Sequence, residues 1–371
     1  MSMGISGRIA RVFLHSQMTP LLALVAMLLG IFAVAVTPRE EEPQINVTMA
    51  NVLIAYPGAS AQDVANTVAT PAEQVLSQIA GVDHVYSVSQ PGMAVLTVQF
   101  KVGEEHVPSL VKLYDVILSH ADWLPSTLGV AQPIIKAKGI DDVPVLALTL
   151  WREQAADHAV ALSQVAHAIE AELKRVPGTR EVSTLGSTPR VVRVLLDPEA
   201  LNAHQLSVQD VRYALQASNV SHSAGSLVQN NREVLVQTGT FLSDARDVSQ
   251  LVVGVTGGKP VFLRDVAEVR DSADQPKSYV WMGTGASAGD KAITAQGEFG
   301  AVTLAVTKKP GENAVDVANK LLQRVDELKG SVIPDDVQVT ITRNYGETAN
   351  DKAMKLIQKL FFATFAVVAL V

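Results

Sequence analysis

Two apolar runs bracket this chain and constrain everything between them. Leu21 to Val36 (LLALVAMLLGIFAVAV) and Leu360 to Val371 (LFFATFAVVALV) carry no charged side chain. A bilayer core asks for about 20 apolar residues in a helix that rises about 1.5 Å per residue. The first run, extended from Met18 through Thr37, reaches that length. The second stops after about 12 residues at Val371, so it reads as the start of a membrane helix cut short. A free carboxylate with unpaired carbonyls inside lipid would be costly, which supports that reading.

Arg8 and Arg11 precede the first run, and Glu40, Glu41 and Glu42 follow it. The positive-inside rule then places the N-terminus in the cytoplasm and the long middle region on the outer side. Lys352, Lys355 and Lys359 precede the second run on that same outer side, but long translocated regions weaken the charge bias. A basic start, an apolar stretch and Ala33-Val34-Ala35 also fit a secretory signal peptide, although the run exceeds the roughly 7–15 residues of such a segment.

Charged residues make up 18% of the chain and fall almost entirely between the apolar runs, so the middle is an aqueous region long enough for two or three cores. The formal net charge of −7, with no clustered Lys or Arg, argues against a nucleic-acid partner. There is no cysteine, which excludes disulfides and thiolate metal sites and permits an oxidising compartment.

Strands and helices alternate through this middle region. Asn46 to Ala55 reads as a strand, and Ser60 to Ile79 as a helix capped by Ser60 with Asp63 at its third position. Gly81 stops that helix. Val82 to Ser89 and Met93 to Phe100 form a hairpin across Gln90-Pro91-Gly92, and Val107 to Leu118 is a second helix. This βαββα pattern is the ferredoxin-like split βαβ. A second copy follows: a strand at Val145 to Trp151, a helix at Ala159 to Arg175, and Pro177-Gly178-Thr179-Arg180-Glu181-Val182 echoing Ala80-Gly81-Val82-Asp83-His84-Val85 at an offset of 97 residues. Its closing elements appear only at Ala292 to Thr307, Ala314 to Lys329 and Val337 to Arg343.

The interruption, roughly Thr188 to Ala273, reads as a small α+β insert. Its strands are Arg190 to Leu196, Glu233 to Thr238 and Leu251 to Val255; its helix runs from Ser207 to Ala217, and Pro260 to Asp265 turns back. Both termini of the parent lead toward the membrane, which places the insert at the far end.

Other motifs carry no chemistry. Gly283 to Gly289 lacks dinucleotide-loop spacing and reads as a flexible hairpin, and Gly257-Gly258-Lys259 is followed by Pro260 rather than Ser or Thr. The eight histidines show no HxxxH or HExxH pairing, so no metal site is expected. Asp141-Asp142 reads as solvated turn carboxylates in a linker, and Glu40 to Glu42 as a solvated collar or an acidic cleft mouth. No catalytic residue and no enzyme activity are expected.

Together the motifs resemble the resistance-nodulation-division (RND) efflux permeases of the multidrug and acriflavin-resistance type, over essentially the whole chain. The matching segments are Arg39-Glu40-Glu41-Glu42-Pro43-Gln44-Ile45, Tyr56-Pro57-Gly58-Ala59-Ser60, Ile79-Ala80-Gly81-Val82, Pro91-Gly92, Leu196-Asp197-Pro198-Glu199-Ala200-Leu201, Ala224-Gly225-Ser226-Leu227, Leu263-Arg264-Asp265-Val266-Ala267-Glu268-Val269 and Lys309-Pro310-Gly311-Glu312-Asn313-Ala314. The resemblance implies the N-terminal portion of a proton-driven homotrimeric pump of the inner membrane, with its main region periplasmic. Such a pump exports small molecules through a periplasmic adaptor and an outer-membrane channel.

The fold class it implies is α+β: ferredoxin-like porter modules with an inserted docking module, flanked by transmembrane helices. On this scheme residues 1–37 are the N-terminus and first membrane helix, and residues 38–136 the first porter module. Residues 137–187 and 274–343 form the second, residues 188–273 the docking module, and residues 350–371 the start of a second membrane helix. No cofactor is implied beyond the proton gradient. The family's proton relay uses carboxylates and a lysine on later membrane helices, and neither apolar run here contains an acid.

Two departures from the family pattern matter. Positions that carry pocket aromatics in multidrug members hold Val145 and Leu185 here, which weakens capture of flat cations; Tyr279 and Trp281 are the alternative aromatic surface. All four also fit ordinary core packing. Val228 to Arg232, around Asn230-Asn231, reads as a short hairpin where multidrug members extend a long arm to the next subunit. The alternative function is a membrane-anchored periplasmic binding or docking module that does not transport.

Overall fold

Two sheets of matching strand order carry most of the chain. The computed structural model describes residues 13, 16, 18–40, 47–119, 123–124, 126–153, 159–239, 241–276, 278–291 and 293–370. Arg8, Arg11, Glu41, Glu42, Val371 and the expected strand starts at Asn46 and Ala292 lie outside the described residues.

Helix α1 (Met18–Val36) buries none of its residues. Strand β1 (Met49–Ala55) follows, then helix α2, built from Ala61–Val64, a π-helical turn Ala65–Ala69 and Thr70–Leu76. Ser60 and Asp63 form the expected capping box. The π turn sits just before Pro71, whose missing N–H breaks the regular ladder, so the expected straight helix is locally rewound. Strands β2 (Val82–Gln90) and β3 (Met93–Phe100), helix α3 (His106–Ser119) and strand β4 (Ile134–Lys138) complete the first unit. The sheet order is β2-β3-β1-β4, with every neighbouring pair antiparallel.

Side chains alternate along β1 and β3, so one face supplies Val52, Ile54, Leu96 and Phe100 to a core closed by Val68 and Leu76 of α2 and Leu113 and Ile117 of α3. Strand β4 was not expected, and the boundary drawn at residue 136 cuts through it.

The second unit begins with β5 (Leu146–Trp151), helix α4 (Ala159–Leu173) and β6 (Thr179–Leu185). Gly178 has φ +92° and Gly81 has φ +93°, so the repeated glycines turn the chain identically after each first helix. The inserted segment enters on β7 (Arg190–Leu196) and holds helices α5 (Pro198–Ala203) and α6 (Val208–Ser218) and a hairpin of β8 (His222–Gln229) and β9 (Arg232–Thr238). It continues through α7 (Ala245–Ser249), β10 (Val252–Thr256), β11 (Lys259–Phe262) and α8 (Leu263–Val266) and leaves on β12 (Ala267–Ala273). Strands β7 and β12 pair antiparallel, and the segment has its own small core around Leu201, Val211, Val253 and Leu263.

The chain returns through β13 (Trp281–Gly283), β14 (Glu298–Lys308), helix α9 (Ala314–Leu328) and β15 (Gln338–Asn344). The long β14 pairs with β13 at its start and with β6 at its end, while β5 lies between β14 and β15. The order β6-β14-β5-β15 therefore repeats the first sheet. Residues 283–291 lie in the connection of the antiparallel β13–β14 hairpin and hold a short helical turn, Ala286–Lys291. Helix α10 (Tyr345–Leu370) begins directly after β15 and contains the second apolar run. By length and composition α1 and α10 can each cross a membrane.

Two polar expectations are overturned. Lys308, with a side chain only 7% exposed, places Nζ 2.8 Å from Glu40 Oε1 and 3.5 Å from Asp141 Oδ1. Glu40 is thus no solvated collar and Asp141 no solvated turn residue. Asp142 accepts from the Gly139 backbone N–H at 2.8 Å and pairs with Arg180 at 2.8 Å. Arg39, beside Glu40, donates to Asn350 of α10. The segment leaving α1 is thereby tied to the second sheet and to the second apolar helix.

Candidate functional site

A cleft of about 230 Å³ opens at the end of the second sheet, between the start of α4 and the β13–β14 pair. Its walls include Leu162, Pro276, Val280 and Val302, with Tyr279 and Trp281 on the lining and Arg152 as its charged residue among the described ones. Period-two alternation makes this placement: Leu146, Leu148 and Leu150 of β5 point into the core with Leu162 and Ile169 of α4, and Arg152 continues that face just past the strand's end.

Tyr279 and Trp281 are 62% and 63% exposed, with ring centroids 5.5 Å apart and planes tilted by 8°. Side chains two apart in an extended segment share a side, so the two rings stack on each other and offer flat apolar surface to solvent. Gly186 allows the cleft's close packing: a Cβ there would lie 2.6 Å from Val280 Cγ2. Arg152 Nε lies 3.1 Å from Asp336 Oδ2, yet it is a buried donor without a well-directed hydrogen bond.

The expected site residues part ways here. Tyr279 and Trp281 come together at the cleft. Leu185, half exposed, sits at the end of β6 beside the cleft residue Gly186. Val145 is 5% exposed inside the core and does not reach the cleft. Sequence reasoning missed Arg152; the signal was a charge in phase with three inward leucines.

Next to Leu185, Thr184 donates to Glu170 of α4. Burial pushes the Glu170 carboxyl up, but hydrogen bonds from Lys174, Thr184 and His167 outweigh it and hold the group below its ordinary value. With the folded value depressed, this α4–β6 tie contributes at neutral pH and is lost as the pH falls through that value.

The hairpin residues form a separate feature. Asn230 and Asn231 have φ of +55° and +58°, the two-residue left-handed turn that suits strand twist. Arg232 closes that turn opposite Gln229, with Val228 one residue further back, but the hairpin is not short: it runs from His222 to Thr238, with Leu227, Val228, Val234 and Leu235 all more than half exposed. Strand β8 escaped the sequence reading because Ser223 to Ser226 hold no apolar alternation. Among the described residues, no group of three or more His, Asp or Glu gathers as a metal site.

Comparison with known proteins converges on one family. The chain is 28% identical over 324 residues to the multidrug resistance protein MdtC of Proteus mirabilis (strain HI4320), covering 87% of this chain and 30% of that protein. It is likewise 28% identical over 326 residues to MdtC of Yersinia pseudotuberculosis serotype O:1b (strain IP 31758), with the same coverage. The chain thus spans about 30% of the length of these curated relatives. A family model described as the AcrB/AcrD/AcrF family matches residues 9–371, and this chain, with the motifs of the RND permeases, belongs to that family.

Proposed function

We propose that this chain provides the substrate-handling region of a proton-driven RND efflux transporter of the inner membrane, with α1 and α10 in the bilayer and the sheets in the periplasm. The two units, residues 38–138 and residues 139–187 with 274–343, act as ferredoxin-like βαββαβ porter modules. Their common strand order and fully antiparallel pairing support that assignment. The β7–β12 segment serves as the docking module toward a periplasmic adaptor and an outer-membrane channel, in a homotrimer. Small amphiphilic molecules pass through the second module's cleft.

The observation that carries this reading is the stacked, solvent-facing Tyr279–Trp281 pair on the rim of an apolar cleft. Exposed rings of this size are costly to leave in water unless a partner or ligand covers them.

Cells in which the coding sequence is deleted should retain more N-phenylnaphthylamine than their parent, and a protonophore should remove the difference. Equal retention with and without the gene would refute transport. At the level of the site, the full chain labelled with fluorotryptophan gives distinguishable signals from Trp123, Trp151 and Trp281. N-phenylnaphthylamine should shift the Trp281 signal saturably. Tyr279→Ala removes one face of the stack and should weaken that binding by about 3- to 10-fold. An unmoved Trp281 signal in the native chain would refute the cleft as the binding place.

A further inference from the structure

We propose that the Tyr279–Trp281 cleft selects planar aromatic anions over cations, with Arg152 as the side chain that recognises the negative charge. This rests on the cleft being a ligand site and adds the class of ligand.

The argument starts from what the lining lacks. Among the described residues on its walls there is no carboxylate, and Arg152 is the charged one. Its side chain is 13% exposed, so its charge acts in a partly water-excluded place where electrostatic contacts strengthen. The guanidinium presents five N–H donors in a planar fork suited to carboxylate or sulfonate oxygens.

Asp336 does not satisfy that fork. It approaches from the solvent side with a side chain 65% exposed, its two contacts are 3.1 and 3.5 Å long, and Arg152 Nε still lacks a well-directed acceptor. An anionic group entering from the cleft would meet the outer N–H groups of the guanidinium, which Asp336 holds only through one 3.5 Å contact, while its ring system lies against Tyr279 and Trp281.

A competing attraction draws cations to the same aromatic faces. At rings more than half exposed that attraction is weak, whereas a cation inside the cleft would face a guanidinium of like charge in a low-dielectric setting. The chain's net charge of −7 favours cations at a distance, but exposed charges beyond about 8–10 Å are screened at physiological salt. The local arginine therefore decides selectivity.

The test uses the fluorotryptophan-labelled full chain in neutral detergent with three probes of similar ring size: anilinonaphthalene sulfonate, neutral N-phenylnaphthylamine and cationic proflavine. Each variant is compared with the native chain for the same probe, so partition into micelles cancels. Arg152→Gln should weaken the sulfonate by about tenfold, as expected for loss of one charge-assisted contact, and change the neutral probe by less than about twofold. Asp336→Asn, at a side chain 65% exposed, should tighten the sulfonate by removing the competing carboxylate.

Equal weakening of sulfonate and neutral probe by Arg152→Gln, or no change of the sulfonate in either variant, overturns the proposal. Tighter native binding of proflavine than of the sulfonate does so as well. A Trp281 signal that no probe moves would instead strike at the ligand site itself, so the two failures are distinguishable.

Discussion

Replacing Lys308 by methionine should loosen the join between the first apolar helix and the second sheet by about 3 kcal/mol. The ammonium lies between Glu40 and Asp141, whose side chains are 18% and 14% exposed. Methionine keeps the length and most of the volume of the lysine stem, so the change is mainly electrical: two carboxylates are left facing one another in a poorly hydrated place. Removing one member of such a set is the costly operation, because the remaining charges have been desolvated without their counter-charge. Backbone amides at the end of β14 should then exchange with solvent faster by a factor on the order of 100. The sharper half of the prediction is rescue: adding Glu40→Gln and Asp141→Asn to Lys308→Met neutralises the whole set and should restore most of the protection. Exchange that changes by less than about threefold in Lys308→Met would show that the triad contributes no more than a surface pair.

The triad also marks where sequence reading reaches its limit. Glu40, Asp141 and Lys308 are separated by 268 and 167 positions in the two ion pairs, and nothing local tells an acid in a turn that a lysine will arrive opposite it. Local signals behaved differently. Ser60 with Asp63 and Ser207 with Asp210 cap helices where their spacing placed them, because a capping box is complete within four residues. The repeated glycines located the matching turns at 81 and 178, and the repeat of strand order was legible from them.

Strands β4 and β8 were lost because neither shows an apolar period. Ile134 to Lys138 is a short edge strand of which Ile135 packs partly buried against the core. His222 to Gln229 lies in a ribbon exposed on both faces, so no hydrophobic period was required of it. At the cleft, the aromatic pair was visible as residue types, whereas Arg152 was not, since its role depends on β13 arriving across β14 from β5's end, 130 residues downstream.

Trp151→Ala should be the most damaging single change in the second unit, at about 3–5 kcal/mol. Trp151 is 1% exposed on the central strand β5; its ring centroid is 4.9 Å from that of Phe299, and its indole N–H donates to Thr340 Oγ1 at 2.9 Å. Alanine therefore removes a large buried volume between β14 and β15 and leaves the Thr340 hydroxyl, 8% exposed, without its donor. Trp151→Phe keeps most of the volume and should lose only the hydrogen-bond share, about 1–3 kcal/mol.

The two effects can be read separately by hydrogen exchange. Amides of β5 and β14 should lose protection in Trp151→Ala, while those of β1 and β3, whose core around Val52, Leu96 and Phe100 is a distinct cluster, should keep theirs. Because Arg152 follows directly on Trp151, collapse of the strand end should also abolish the preference for anilinonaphthalene sulfonate over the neutral probe, even though Arg152 is still present. Retained anion preference alongside lost β5 protection would mean that Arg152 is held from the Asp336 side rather than by the strand. In that case Asp336→Asn would loosen the cleft instead of tightening anion binding, and the order of support from core to strand end to arginine would have to be reversed.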